Sequence, residues 1–394
     1  HNTAVGYVAG AEITTARYNT ILGSLAGDAL TTGAENVAVG YGALGQEDGH
    51  GKNVAVGMNT LTAQNAGAEA YNTAVGWDTG KAVTSGVKNT LIGAAAGDAL
   101  TTGSNNVAIG EEALSTEDTG GKNTAIGGNA LKYLDAGADG YNVAVGYDAG
   151  LAFTTGVQNT VIGTYAGDAL TTGGDNVVMG YLALTTANTT EAKNVAIGSY
   201  SLNAMDNGST ANTYNTAVGY YSGVAVTTGI QNTIIGGLAG DAITTGGNNI
   251  VIGYNAAASA VDVDNEITLG DANISAFRCA DQSIAALSDG RDKSEVEESP
   301  YGLEFINKLK PVKFTWDFRP EHMSEAKQGK SRVGFIAQDL QEAMPNNDND
   351  VLDLVYEISE NRLEAKYGNL IPVMAKAIQE LSKEVKELKK QING

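Results

Sequence analysis

A short asparagine–glycine unit recurs along the first two thirds of the chain and limits the folds that it can adopt. The unit reads Asn-x-x-x-Gly, with small or β-branched residues between its two ends. A step of nearly constant length is typical of a solenoid, in which each repeat forms one coil that stacks on the next. The steps are mostly 17 residues, with some of 18, 19 or 21, and the units begin at Asn2, Asn19, Asn36, Asn53, Asn72, Asn89, Asn106, Asn123, Asn142, Asn159, Asn176, Asn194, Asn215, Asn232 and Asn249.

Each coil is predicted to contain short β-strands joined by tight turns. The strand is the Thr-Ala-Val or Val-Ala-Ile piece after the asparagine, whose side chains alternate between two faces. The next glycine, as in Gly40 or Gly110, is expected to adopt a backbone conformation closed to residues with a Cβ. The asparagine is expected either to bond its own backbone or to form a ladder along the stack. Fifteen coils at about 4.8 Å would extend roughly 70 Å.

A longer period of four coils lies over the shorter one. Copies of Ala-Gly-Asp-Ala-Leu-Thr-Thr-Gly begin at Ala26, Ala96 and Ala166, and a variant begins at Ala239. Aspartate recurs once per four coils, which favours a role in a turn over a calcium site. The rows of threonine are explained by the preference of threonine for exposed β-strands, which is favoured over contact with ice or glycan. The recurring aspartates are Asp28, Asp98, Asp168 and Asp241.

The residues that point inward predict little apolar burial within one chain, because Ala and Gly dominate the coil. This favours several chains that share one core, with three as the natural number. The pattern Asn-x-Ala-Val/Ile-Gly resembles the head repeats of YadA-type trimeric adhesins, which implies a parallel β-roll in a trimer, although the coils here are longer. Residues 1–260 are therefore predicted to be a trimeric β-solenoid or β-roll shaft. The inserts at 184–193 and 203–214 are candidates for receptor contact, since solenoid insertions form loops on one face.

Residues 261–287 are predicted to form a neck that ends the shaft. The piece Asn265–Asp271 reads as an altered last coil, and terminal repeats are usually atypical because they cap the stack. The only cysteine, Cys279, lies in this segment, so no intrachain disulfide is possible and a buried free thiol is expected.

Charge and composition argue against several classes of partner. The net charge is −21, and residues 1–287 hold 25 acidic and 8 basic residues. So few cations argue against binding a phosphate backbone, and no nucleic-acid partner is predicted. No apolar run has the length of a membrane span, so no membrane insertion is predicted. The three histidines are scattered, which predicts no metal site, and no cofactor is expected. Because the chain begins inside a repeat, we expect a fragment or a processed piece.

A candidate serine–lysine dyad lies between the repeats and the C-terminal region. Ser288 and Lys293 are five residues apart, and a neutral lysine can accept the proton of a serine nucleophile. On its own this spacing is weak evidence, because both residues are common at solvated turns. More informative are the ordered motifs that follow it: Gly302–Ile306, Leu309–Phe314, Val333–Asp339 and Tyr367–Pro372.

Together these motifs resemble the intramolecular chaperone domain of phage tail fibres and tailspikes, the peptidase S74 family. The resemblance covers residues 288–394 and implies a domain that helps three chains to fold and then cuts itself off. It implies Ser288 as nucleophile and Lys293 as base. Asp289 and Arg291 are expected in supporting roles. Asp289 either orients other groups or simply breaks a helix start. The lysine needs burial or a cationic neighbour to be neutral, and Arg291 is the candidate for that neighbour. The favoured scissile bond joins Leu287 to Ser288, and cleavage on the other side of Ser288 is the alternative.

The C-terminal region is predicted to be a small α+β domain that ends in a coiled-coil helix. The pattern predicts a helix that turns into a strand at Pro311, and a strand or the end of one at Val333–Ile336. It also predicts a short helix at Asp339–Met344 and a polar loop at Asn346–Asp350. From Ile371 a heptad predicts a coiled coil. Its β-branched residues at position a are typical of dimers, but the shaft and the family resemblance both favour three helices.

These observations favour a homotrimeric tail fibre that is made in the host cytoplasm, becomes part of the virion and binds a host receptor or glycan. Two rival classes stay open. A bacterial trimeric adhesin would need C-terminal membrane strands, whereas this sequence ends in a helix rich in Lys and Glu. A glycan-degrading tailspike would need paired carboxylates, which three chains could assemble between them.

Overall fold

The computed structural model describes residues 1–186, 191–208, 212–278, 288–317, 328–344, 348–359 and 362–393. These residues form two compact units, His1–Asp271 and Ala272–Gly394. Each unit is described by itself. Cys279 and Leu287 lie outside the described residues, as do Pro345 and part of each shaft insert.

The first unit is a parallel β-solenoid of about fifteen turns, which confirms the predicted fold. Each coil contributes a single β-strand, which is three residues long. Every strand pairs in parallel with the next one along the chain. Turns complete the rest of the coil. The strands are β1 (Thr3–Val5), β2 (Thr20–Leu22), β3 (Val37–Val39), β4 (Val54–Val56), β5 (Thr73–Val75), β6 (Thr90–Ile92), β7 (Val107–Ile109), β8 (Thr124–Ile126), β9 (Val143–Val145), β10 (Thr160–Ile162), β11 (Val177–Met179), β12 (Val195–Ile197), β13 (Thr216–Val218), β14 (Thr233–Ile235), β15 (Ile250–Ile252) and β16 (Ile267–Leu269).

The solenoid encloses its own core, so the expectation of a core shared between chains is wrong for this unit. The middle residue of each strand from β2 to β15 is buried, as in Ala108 of β7. Leucines from the turns, such as Leu100 and Leu114, fill the space that the small strand residues leave. The prediction of little apolar burial is wrong because it rested on the strand residues alone, whereas leucines of the turns supply much of the core.

The asparagines form the ladder that the sequence allowed as one of two alternatives. The side-chain Oδ1 of Asn106 accepts the backbone N–H of Asn123 at 2.9 Å. Its Nδ2 donates to the carbonyl of Gly120 at 3.0 Å. One asparagine side chain therefore bonds two backbone groups, the amide of the next ladder residue and a carbonyl three residues before it. The contact to the next ladder residue recurs along the stack as far as Glu266. Polar backbone groups near the core are satisfied by this row.

The glycine after each strand allows neighbouring coils to approach closely. Gly110 has a φ of 138°, and a Cβ built on it would lie 2.4 Å from the carbonyl oxygen of Gly127. The predicted conformation closed to other residues is thus confirmed. A second special position was not predicted: the residue before each ladder asparagine from Asn19 onward is left-handed although it is not glycine, as at Asn105 (φ 60°) and Gln158 (φ 61°).

The second unit is the predicted small α/β region with a C-terminal helix. Its hairpin of β19 and β20 was not predicted. The polar loop predicted at Asn346–Asp350 is wrong from residue 349 onward, because the Asn349 side chain donates to the Val355 carbonyl and anchors a short helix there. The elements are α1 (Leu303–Lys308), β17 (Val312–Thr315), β18 (Ser331–Gly334), α2 (Ala337–Ala343), α3 (Asn349–Leu352), β19 (Val355–Ser359), β20 (Arg362–Ala365) and α4 (Leu370–Asn393).

Helix α4 has two apolar faces with different surroundings. Leu370 and Val373 belong to the buried cluster of this unit, together with Phe305 of α1. The heptad positions lie on the other face and are exposed; Ile378, for example, is 62% exposed and Leu381 is 48% exposed. The described part of the chain therefore does not cover the heptad seam, which consists of Ile371, Met374, Ile378, Leu381, Val385, Leu388 and Ile392.

Candidate functional site

A single 3₁₀ turn brings the predicted nucleophile and base together. The turn spans Gly290–Asp292 and reverses the chain between Ser288 and Lys293. The Lys293 Nζ donates to the Ser288 Oγ at 2.6 Å. This distance lies within the reach that a base needs to take the proton of a hydroxyl nucleophile.

Asp289 holds this turn in shape. It caps the turn, since its Oδ1 accepts the backbone N–H of Arg291 at 2.9 Å. The same carboxylate accepts the Arg291 Nε at 3.0 Å. The Arg291 side chain and backbone bonds lower the pKa of the Asp289 carboxyl. The arginine is thus bound to Asp289 and is not directed at Lys293 as the cationic neighbour that the sequence suggested.

Solvent surrounds the dyad in the single chain. Ser288, Asp289, Arg291 and Lys293 are all exposed. A lysine acts as a base only in its neutral form, which burial or a nearby cation promotes. Within the described residues of one chain, the dyad therefore has the contact distance but no burial around it.

The comparison with protein-family models gives a match that begins at the proposed nucleophile. Residues 288–349 match the Peptidase S74 model, described as the chaperone of endosialidase. The suspected family is thereby shown for this part of the chain. The S74 match covers the dyad, α1, β17, β18 and α2 and ends at the first residue of α3. A search of curated proteins and a search of solved structures returned no match.

The S74 domain indicates a phage-associated protein of the tail-fibre or tailspike type. Among the described residues, no helix has both the length and the apolar character that crossing a membrane requires.

Exposed and half-buried tyrosines form a row of neighbouring rings along part of the solenoid. Their ring centroids follow one another at 5.8, 6.3, 5.6 and 4.7 Å from Tyr147 to Tyr221. Tyr147 is 50% exposed and Tyr181 is 45% exposed. The row was not predicted, although the tyrosines that follow Gly146, Gly180 and Gly219 carry a signal for it in the sequence. This tyrosine row consists of Tyr147, Tyr165, Tyr181, Tyr200, Tyr220 and Tyr221.

The four recurring aspartates lie in turns of the solenoid, as predicted. Burial raises the pKa of Asp98, and it raises the pKa of Asp168 to about 6. In the part of the chain that the structure describes, none of the four belongs to a group of three metal-type side chains. The threonines beside them bond the stack, since the Thr101 Oγ1 donates to the Asp118 carbonyl at 3.0 Å.

Proposed function

We propose that this protein is a trimeric phage tail fibre whose S74 domain promotes assembly and then releases itself by cutting before Ser288. The observation that carries the proposal is the 2.6 Å contact between the Lys293 Nζ and the Ser288 Oγ at the first residues of the S74 match. The turn capped by Asp289 supports it, because that turn lies between the two residues and brings their backbones within reach of one another.

The proposed reaction is an N-to-O acyl shift followed by hydrolysis. The Ser288 Oγ attacks the carbonyl carbon of Leu287 while neutral Lys293 takes the hydroxyl proton. The C–N bond then breaks, and the lysine returns that proton to the departing amine of Ser288. Water hydrolyses the resulting ester, which leaves a carboxylate on Leu287 and restores the hydroxyl of Ser288. Each chain cuts once, so the domain is not a turnover enzyme.

Assembly would supply the desolvation that the single chain lacks. A trimer that covers the loop at Ser288–Lys293 would favour the neutral lysine, because burial disfavours an ammonium ion. The cut would then follow correct assembly and would not occur in isolated chains.

Two exposed apolar surfaces support association of three copies. The first is the heptad seam of α4, whose spacing of 3 and 4 residues is that of coiled-coil positions a and d. The second is the outer face of the solenoid sheet. The third residue of every strand is Val, Ile, Leu or Met, and none of the sixteen is buried, as in Ile92 and Ile235. These rows replace the shared core as the argument for a trimer.

Serine and lysine variants test the cleavage step. Ser288→Ala removes the nucleophile, so the chain should stay full length on a denaturing gel. Lys293→Ala removes the base and should slow cleavage by about 10² to 10⁴. Lys310→Ala is the matched control, since Lys310 is an exposed lysine of the same domain whose Nζ lies 3.3 Å from Glu342. Continued cutting of Ser288→Ala at the same bond would show that another protease is responsible.

Host attachment is the second part of the proposal, and the tyrosine row is the surface that supports it. The exposed rings of Tyr147, Tyr181 and Tyr220 and the half-buried rings between them provide apolar area together with polar hydroxyls, which suits sugar rings. A panel of bacterial surface polysaccharides, immobilised and probed with the purified protein, tests this. We expect Tyr181→Ala combined with Tyr200→Ala to weaken binding at least tenfold, whereas Tyr41→Ala, an exposed tyrosine outside the row, should not. Equal binding by all three proteins would remove the row from the attachment surface.

A further inference from the structure

A turn of the solenoid between β3 and β4 contains a buried carboxylate with one oxygen left open. The Glu47 side chain is fully buried. Its Oε1 accepts the backbone N–H of His50 at 2.9 Å. Its Oε2 has no hydrogen-bond partner among the described residues. A buried carboxylate oxygen without a partner is costly, so this atom calls for an explanation.

Two further ligand-type groups face the same point. The Nδ1 of His50 is buried, has no partner in the described part of the chain and lies 3.6 Å from the Glu47 Oε1. A carboxylate oxygen of Asp48 completes the group, and the three ligand atoms lie within 4.8 Å of one another. Donors bound to one ion at about 2.1 Å lie roughly 3 to 4 Å apart, so three atoms within 4.8 Å of one another would have to draw slightly closer to share a cation.

The equivalent turn one superunit later shows that the open atoms are particular to the first copy. Glu117 lies 70 residues after Glu47 and is also fully buried, but glycine stands at position 120 where the first copy has His50. The Glu117 Oε1 accepts the Gly120 N–H at 2.6 Å, and its Oε2 accepts the Ala136 N–H at 3.1 Å. This carboxylate is satisfied by the chain itself. A buried glutamate oxygen without a partner is therefore found in the first copy, which has His50, and not in the copy that has Gly120.

We propose that Glu47, Asp48 and His50 bind a divalent first-row transition metal of the zinc type. An imidazole nitrogen with carboxylate oxygens suits Zn²⁺ and its neighbours, whereas Ca²⁺ and Mg²⁺ prefer oxygen ligands alone. The ion would satisfy the open Oε2 and Nδ1 and would compensate the buried negative charge, and water would complete its coordination.

Metal binding would stabilise a contact between coils. The carbonyl of Asp48 accepts the Thr31 backbone N–H at 2.7 Å and the Thr31 Oγ1 at 2.8 Å. The turn that would hold the ion is thus docked on the preceding coil. An ion at this turn is expected to raise the unfolding temperature of the solenoid, because it binds the folded state alone.

The test uses the full-length chain after removal of metal with a chelator. Isothermal titration with Zn²⁺ should show one site per chain, and Ca²⁺ should not compete. Glu47→Gln and His50→Gly should each weaken Zn²⁺ binding at least tenfold. His50→Gly copies the natural Gly120 turn, so it preserves a backbone that the chain already uses. Circular dichroism of each variant confirms that the solenoid is formed.

The other histidines and the satisfied glutamate provide the controls. His1→Ala, His322→Ala and Glu117→Gln should leave the affinity within twofold of the unaltered chain. With Cu²⁺ as a spectroscopic probe, electron paramagnetic resonance should show coupling to an imidazole nitrogen that disappears in His50→Gly. Loss of binding in His1→Ala, unchanged binding in His50→Gly, or no Zn²⁺ binding by the unaltered chain would each overturn the proposal.

Discussion

Replacement of Asn106 by alanine should destabilise the solenoid strongly, although the change removes only a few atoms. The Asn106 side chain bonds the Asn123 backbone N–H at 2.9 Å and the Gly120 carbonyl at 3.0 Å, and it is fully buried. Alanine can replace neither bond. The variant therefore leaves one backbone donor and one backbone acceptor without a partner inside the protein.

The magnitude follows from these two orphaned groups. Each buried polar group that loses its partner costs about 1–3 kcal/mol, so the expected loss is about 2–6 kcal/mol. Asn106→Ala removes a side chain that bonds two backbone groups, whereas Thr102→Ala changes an exposed turn residue four positions earlier in the chain. The control should change stability by less than about 0.5 kcal/mol.

Guanidinium unfolding followed by circular dichroism measures both variants at one protein concentration. Hydrogen exchange at the Asn123 amide adds a local measurement, since that amide loses its acceptor in Asn106→Ala. The expected result is a lower midpoint and faster exchange at this amide. A midpoint shift equal to that of Thr102→Ala would refute the reasoning that the ladder holds the coils together.

Three further changes test other parts of the account. Gly110→Ala should destabilise the solenoid by more than about 2 kcal/mol, because its Cβ would lie 2.4 Å from the Gly127 carbonyl oxygen; a small midpoint shift in guanidinium would contradict the close approach. Gln158→Gly should raise stability by a few tenths to about 1 kcal/mol, since it removes a side chain from a left-handed backbone at φ 61°, and an unchanged or lower midpoint would count against strain at this position. Burial raises the pKa of Asp168 from 3.8 to about 6, so the folded state holds the extra proton between these values and stability should fall as pH rises through this window. Asp168→Asn should abolish that fall when unfolding is measured across the window, and an unchanged pH profile would assign the fall to other groups.

The repeat could be predicted well because the same backbone requirement recurs in every coil. A parallel strand beside a turn leaves polar groups that only a few side chains can satisfy, so the asparagine and the glycine recur at fixed positions. The left-handed residues could not be predicted in this way. Residues as different as Lys88, Gln158 and Tyr141 occupy that position, and the contacts on either side impose the conformation.

The core and the C-terminal hairpin were missed for different reasons. The solenoid core depends on turn leucines such as Leu100, whose direction is fixed only when the coil closes. The hairpin of β19 and β20 did have a signal, because two short runs separated by two residues are typical of a hairpin.

At the candidate sites, sequence reasoning gave the residues but not all of their partners. The spacing of Ser288 and Lys293 and the motifs after them pointed to the dyad. The pairing of Arg291 with Asp289 depends on the 3₁₀ turn and could not be read from spacing alone. The group at Glu47 was missed because the histidines were considered without the superunit. Aligning Glu47–His50 with Glu117–Gly120 would have shown that one histidine stands where the later copy has glycine.

The central claim is that assembly switches on cleavage at Ser288, and intact-mass spectrometry of a heptad variant tests it most directly. Ile378→Asp puts a charge into the exposed heptad seam without touching the dyad or the buried cluster. We expect the unaltered chain to form trimers and to yield one fragment that ends at Leu287 and another that begins at Ser288. Ile378→Asp should remain full length and should sediment as single chains. An unaltered chain that is never cut, or a single-chain variant that is cut at the same rate, would contradict the account.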